Sequence, residues 1–250
     1  MKEAILKDGR IIRVPNWHAI PYADYYADIH NRWNIPERIA RDIIESHQRQ
    51  LDYGIRNGVE KTLSDKVLSF PRDRRSPLQY YCNLIGGWTN QHLMTASMND
   101  KVKLIDPGAS VNAHGKDSDW QLRTKLSEIS SVQDVTYDWS SGSRQLVEIQ
   151  ASLYGRRLDW YDHKENKVKT AKDTNGIFLW NDPVNDDFFI VTLEDLESAY
   201  YRPNPAYGGK YSYQLPISLK SDKFVNMLQP FPAEYLRLLG YNGVVRSAGV

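Results

Sequence analysis

The chain has 250 residues, a net charge of +1, 41% hydrophobic residues and one cysteine, Cys82. That hydrophobic fraction supports a sizeable core, and one domain with an appended lobe is the organisation expected at this length. A single cysteine excludes an intramolecular disulfide and a cysteine-rich zinc site, a near-neutral balance excludes a globally basic nucleic-acid stripe but not a local basic cleft, and no apolar run approaches the roughly twenty residues of a membrane span. Met1-Lys-Glu-Ala-Ile holds no signal-peptide core, so a cytoplasmic protein without membrane contact is expected.

Residues 5–14 alternate around Asp8-Gly9 and predict a small hairpin. Pro36 opens a helix with an apolar stripe of Ile39, Ile43, Ile44, His47, Leu51 and Ile55, closed by Asn57-Gly58. A second helix is expected from Val59 to about Leu68, stopped by Pro71. Residues 71–118 read as irregular, with Gly86-Gly87 and Pro107-Gly108 as turns. Ser118 or Asp119 can cap a helix carrying Leu122, Leu126 and Ile129. Residues 156–172 are polar and lysine-rich and read as a loop, whereas Ile177–Trp180 and Asp187–Thr192 read as short strands. Thr192 and Asp195 stand at capping-box spacing for a helix to about Tyr200; Tyr211–Ser218 is strand-like, and a last helix runs from Pro232 to Leu239 before Gly240. The fold class expected is α/β (α+β), a mixed central sheet with flanking helices. Residues 1–117 form a mainly helical region and 118–250 the core, joined in one compact unit.

The stretch with the most chemistry is Asp134-Val-Thr-Tyr-Asp138-Trp139, then Ser140-Ser-Gly-Ser, then Arg144-Gln-Leu-Val-Glu148-Ile-Gln150. It predicts two strands and a tight turn. Asp134, Thr136 and Asp138 share one face of the first strand, and Leu146, Glu148 and Gln150 share one face of the second. A three- or five-residue loop can set Thr136 opposite Glu148, Asp134 opposite Gln150 and Asp138 opposite Leu146. Both aspartates are then diagonal neighbours of Glu148, and carboxylates so gathered suit a divalent metal. A two- or four-residue loop shifts the pairing by one and dissolves the cluster. The alternative is an ordinary hairpin with one wet face.

This segment resembles the PD-(D/E)XK nuclease motif: an Asp in one strand, a hairpin turn, and Glu-X-Lys in the next. The third position here is Gln150, as in Type II restriction endonucleases that carry Glu-X-Gln, and the matching stretch covers about twenty residues. The resemblance implies a restriction-endonuclease-like core, with Asp138 and Glu148 as metal ligands and Gln150 at the third catalytic position. Asp134 is the rival for the first role, since Gln133-Asp134 can stand for the Pro-Asp pair, and Glu128 can assist. It also implies Mg²⁺ (or Mn²⁺) as cofactor, double-stranded DNA as substrate and a homodimer as the acting form. A helix is expected soon after the Glu-X-Lys strand, and the polar stretch there reads instead as an insertion.

Chemistry agrees with these residue types, because bound Mg²⁺ uses one or two carboxylates and keeps water and phosphate oxygens as its other ligands. Gln150 has no useful titration and can only orient a water. Arg156, Arg157, Lys164, Lys167 and Lys169 downstream, with Arg72, Arg74 and Arg75 earlier, are the candidate phosphate contacts; each can equally keep a loop solvated. The tyrosines at 200, 201, 207, 211 and 213 can pack on a sheet or stack on unpaired bases. Asp162-His163 with Asn166 and Asn175 only faintly matches an HNH pattern, and no phosphate-binding glycine loop or nucleophile elbow is present. The competing functional reading is a non-catalytic nucleic-acid-binding or phage-type structural protein.

Overall fold

Two runs of β-branched and aromatic residues, Ile177–Asp182 and Asp187–Val191, are buried along their whole length, as strands inside a two-sided sheet must be. In the computed structural model, which describes residues 28–64, 76–115, 132–151, 160–204, 209–216, 218 and 223–243 together with the strand backbones 2–5 and 11–14, they are central strands of a six-stranded mixed sheet. The strands are β1 (Lys2–Ile5), β2 (Ile11–Val14), β3 (Ser110–Ala113), β4 (Val135–Asp138), β5 (Arg144–Ala151), β6 (Trp160–Lys164), β7 (Ile177–Asp182), β8 (Asp187–Val191), β9 (Tyr200–Pro203), β10 (Tyr211–Pro216) and β11 (Val225–Asn226). The helices are α1 (Ile29–Arg32), α2 (Glu37–Arg56), α3 (Val59–Ser64), α4 (Pro77–Ile105), α5 (Glu165–Thr174), α6 (Leu193–Glu197) and α7 (Ala233–Leu238).

The main sheet has the order β11-β8-β7-β5-β4-β3, β1 and β2 form the small hairpin expected around Asp8-Gly9, and β6-β10-β9 form a second antiparallel sheet. Every main-sheet pairing is antiparallel except β5 with β7. A parallel neighbour needs a crossover, and here β6 and α5 supply it. The sheet's edge strand β3 lies at residues 110–113, so a division at 117/118 cuts between strands of one sheet. One face carries Glu148, Phe178, Trp180 and Phe189, against which Tyr161 and His163 of β6 and the helix α5 pack. The other carries Phe188, which meets Phe231 and Tyr235, while Lys101 near the end of α4 donates to the carbonyl of Gln229 at 2.6 Å. Thus α4 and α7 cover the face opposite α5. No helix among the described residues is long and apolar enough to cross a membrane.

Several elements differ from the sequence expectation. Residues 77–105 are one 29-residue helix, running through Gly86-Gly87 without a turn. Ser76 caps it reciprocally with Gln79 and Pro77 takes the first turn, a start signal present in the sequence. Its apolar periodicity is faint because it is buried on several sides, between α2 and α3 and the sheet. The buried stripe of α2 is Ala40, Ile43, Ile44, His47, Gln50, Leu51 and Gly54, with Ile39 and Ile55 exposed. Residues 160–174 are not a loop but β6 and α5, the helix burying only Val168 and Ala171. The Thr192–Asp195 capping box is present, although α6 ends at Glu197 because Tyr200 enters β9. The helix expected after Ser118 and the end of the one expected to Leu68 lie outside the described residues.

Candidate metal and phosphodiester site

The hairpin forms with the expected face-sharing but a different register. Thr136 pairs with Leu146 rather than Glu148, and Asp138 pairs with Arg144 rather than Leu146. Trp139 N–H donates to the Ser143 carbonyl at 3.0 Å, and Gly142 N–H donates to the Trp139 carbonyl at 2.9 Å, leaving Ser140–Gly142 as the turn. Gly142 has φ 84°, the left-handed third position that a three-residue hairpin loop demands. The turn is therefore centred on Ser141, one residue earlier than the expected pairing requires, and the strands slide by two residues. Outside contacts hold this geometry. Buried Trp139 donates Nε1–H to Leu239 O at 2.6 Å, Ser143 Oγ donates to Gly240 O at 2.6 Å, and the Asp106 carboxylate accepts from Ser140 N–H and Oγ–H.

The slide separates the two aspartates. Asp138 lies four strand positions from the level of Glu148, roughly 13 Å along the sheet. Its carboxylate is taken by Arg144 Nε at 2.5 Å, Asn112 Nδ2 at 2.9 Å and Thr136 Oγ1 at 3.0 Å, which together hold its pKa below the ordinary carboxylate range against the opposing effect of partial desolvation. The expected pairing of Asp138 with Glu148 in one metal site is thus not formed. Asp134, the rival, takes the place beside Glu148. Its own N–H donates to Val147 O at 3.1 Å, and its Oδ2 accepts from Ile149 N–H at 2.8 Å, so it grips the neighbouring strand on both sides of Glu148.

Glu148 itself is 6% exposed. Lys167, projecting from α5, donates Nζ–H to Glu148 Oε2 at 2.9 Å and a second bond to Val132 O at 3.2 Å. Burial, followed by the charge of Asp134, pushes the Glu148 carboxyl up to about 8; the ammonium groups of Lys167 and Lys164 act in the opposite direction. Gln150 lies two residues along on the same face, and its Oε1 is buried with no hydrogen-bond partner among the described residues. The cluster is therefore Asp134, Glu148, Gln150 and Lys167: two carboxylates under mutual repulsion, an unused amide oxygen and one ammonium.

Of the expected phosphate contacts, Lys167 points to Glu148, whereas Lys164 and Lys169 are exposed at and on α5. Arg72, Arg74, Arg75, Arg156, Arg157 and Glu128 lie outside the described residues. His163 is fully buried, accepts from Trp180 Nε1–H at 3.1 Å, and is held down to about pKa 3 by desolvation, an internal histidine rather than a ligand of an HNH site. His47 likewise sits in the core, with Nδ1 at 2.8 Å from Ile43 O and Nε2 at 3.0 Å from His92 Nδ1. Among the described residues no group of three or more His, Cys, Asp or Glu side chains is gathered to hold a metal. What the sequence reading missed was the role of Lys167, whose approach to Glu148 depends on the β5–α5–β7 crossover and leaves no trace in local spacing. No known protein-family model matches the chain, and a search of the curated proteins finds no match.

Proposed function

We propose that this chain is a Mg²⁺-dependent endonuclease that hydrolyses phosphodiester bonds of double-stranded DNA, acting as a homodimer in the manner of Type II restriction enzymes. The observation that carries the reading is the burial of Glu148 beside Asp134, with Lys167 bonded to it. A buried carboxyl driven up to about 8 by desolvation and by a second carboxylate is a poor arrangement for stability alone. A divalent cation would relieve that repulsion. The donor set fits such a cation: Asp134 and Glu148 supply hard anionic oxygens, and Gln150 Oε1 is a further oxygen in need of a partner. Mg²⁺, when bound, lowers the pKa of a water and neutralises phosphate charge.

The remaining work falls to the chain's own groups. Asp134 is held beside Glu148 by the Ile149 N–H, which fixes one of its carboxylate oxygens. Lys167 favours the anionic form of Glu148 against the larger effects of burial and Asp134 and, when Glu148 is otherwise engaged, has an ammonium to offer a phosphate oxygen or the attacking water. It can thereby perform from a helix what the lysine of Glu-X-Lys performs from the strand. Gln150 orients water and takes no proton. Two copies related by a two-fold axis are the simplest means to cut both strands.

The test is cleavage of mixed-sequence duplex DNA by the wild-type chain with Mg²⁺, with Mg²⁺ plus EDTA, and by Glu148→Gln with Mg²⁺. Discrete fragments in the first arm alone are expected. Duplex that stays intact with the wild-type chain in both Mg²⁺ and Mn²⁺ overturns the reading.

A further inference from the structure

The second sheet carries a row of aromatic rings that the cleavage reading does not use. Tyr201 on β9 pairs directly with Tyr213 on β10, and Tyr211 lies two residues before it on the same face. The Tyr201 ring lies 4.8 Å from each of the other two, centroid to centroid, at interplanar angles of 33° and 41°. This face is apolar and buried at its other end, where Leu215 and Tyr161 meet the core. At the tyrosine end it is open: Tyr201 and Tyr211 are 47% and 46% exposed.

Rings of that size left half in water need a reason, and their surroundings suggest one. The Tyr201 hydroxyl is tied to Glu165 at the start of α5, which fixes the ring without covering it. Lys172 stands over Tyr213 with Nζ 5.7 Å from the ring centroid, and Lys169, one turn earlier on α5, is exposed. Exposed Lys210 directly precedes Tyr211. A pre-ordered row of rings beside ammonium groups is the chemistry that accepts successive unpaired bases on its faces and their phosphates on its edge. Lysine is depleted from protein–protein interfaces, whereas nucleic-acid phosphates take ammonium groups directly.

The geometry points to Tyr201, Tyr211 and Tyr213, with Lys169 and Lys172, as a binding site for an unpaired nucleotide strand. The row is joined to the Glu148 cluster through β6, where His163 pairs with Tyr213 and packs on Phe178, the strand neighbour of Glu148. Where the cleavage reading holds, and only there, the substrate also presents an unpaired segment beside the bond to be cut.

The test uses fluorescence anisotropy of labelled oligothymidylate, oligouridylate and a blunt duplex, without divalent metal. The proteins are full-length wild type, Tyr201→Ala/Tyr211→Ala and Tyr201→Phe/Tyr211→Phe, each shown to keep its circular dichroism and Tm. The alanine pair should lose about tenfold or more in single-strand affinity, the phenylalanine pair should stay within about twofold of wild type, and duplex affinity should be unchanged. The tighter of the two single strands names the preferred polymer. Absence of single-strand binding by the wild type, unchanged binding in the alanine pair, or an equal loss in the phenylalanine pair overturns the proposal. Duplex cleavage that is lost in Glu148→Gln alongside any of these leaves the nuclease reading standing without the tyrosine site. Ring-dependent binding without cleavage by the wild type does the reverse.

Discussion

Replacing Glu148 by glutamine should stabilise the protein while removing the proposed cleavage activity. The carboxyl is 6% exposed, and its pKa stands at about 8 in the folded chain against an ordinary 4.5. A raised folded value means that the unfolded chain gives up its proton first, so the contribution of Glu148 to stability is greatest below pH 4.5 and is lost as pH rises through about 8. Integrated to pH 8, that loss is about 4 kcal/mol. Glutamine has nearly the same shape and cannot ionise, but it leaves Lys167 without an anionic partner, which offsets part of the gain. A net stabilisation of about 2 kcal/mol at pH 8 remains, or roughly 4–8 °C in Tm for a chain of this size. The assay is thermal unfolding of wild type and Glu148→Gln from pH 4.5 to 8.5 in EDTA. The two curves should coincide at the acid end and diverge as pH rises, and Mg²⁺ should raise the Tm of the wild type alone. A variant less stable than wild type at pH 8, or a gap independent of pH, would mean that Lys167 fully compensates the buried charge, and the argument from repulsion to a cation would fail.

Register separates two further substitutions: Asp134→Asn, which keeps an oxygen for Ile149 N–H but loses the charge, should abolish cleavage, whereas Asp138→Asn should retain it within about tenfold, since exposed ion pairs such as that with Arg144 contribute little. The same duplex assay reads both, and equal loss in the two variants would refute the assignment. Lys101→Met should raise stability at pH 7 by about 1–3 kcal/mol, because burial holds the amine down to about 8 and charging it costs free energy; the gap to wild type should close as pH approaches 10.5, which denaturant titrations across that range would show. Gly54→Ala should destabilise by about 1–3 kcal/mol in urea unfolding, since the added methyl falls 2.1 Å from the hydroxyl of buried Tyr81, itself bonded to Gln50 O.

Elements with a clear apolar period, a continuous apolar run or a capping signal were legible in the sequence. Helix α2 showed its period, β7 and β8 showed continuous apolar runs, and Thr192–Asp195 showed its cap. Helix α4 was not, because a helix covered on several sides loses the contrast on which periodicity depends, and its two adjacent glycines continue the helix rather than turn the chain. Helix α5 failed for the opposite reason: two buried residues in ten leave almost no apolar signal, and its lysines look like those of a solvated loop. The aromatic row was visible as a composition, but whether it lay on an open or a closed face depended on the pairing of β10 with β9 and β6, partners that no local pattern names.

The candidate site shows the same limit more sharply. The face shared by Asp134, Glu148 and Gln150 follows from a period of two and was readable, but which aspartate stands beside Glu148 depended on a slide of two residues, set by where one glycine could take a positive φ. Gln150 departs from the Glu-X-Lys pattern as that pattern is read along the strand. In three dimensions the ammonium that the strand lacks arrives from α5, and it arrives at Glu148 itself. On the proposed nuclease reading the strand glutamine and the helix lysine act together: with Lys167 already at Glu148, a second lysine at position 150 would compete with a metal for the two carboxylates. Restoring the motif by Gln150→Lys in a chain that keeps Lys167 should accordingly lower metal affinity and cleavage, whereas Gln150→Lys with Lys167→Met should recover activity relative to Lys167→Met alone. Isothermal titration with Mn²⁺ and the duplex assay measure the two effects. A gain of activity from Gln150→Lys in the presence of Lys167 would show that the helix lysine serves only to hold the fold.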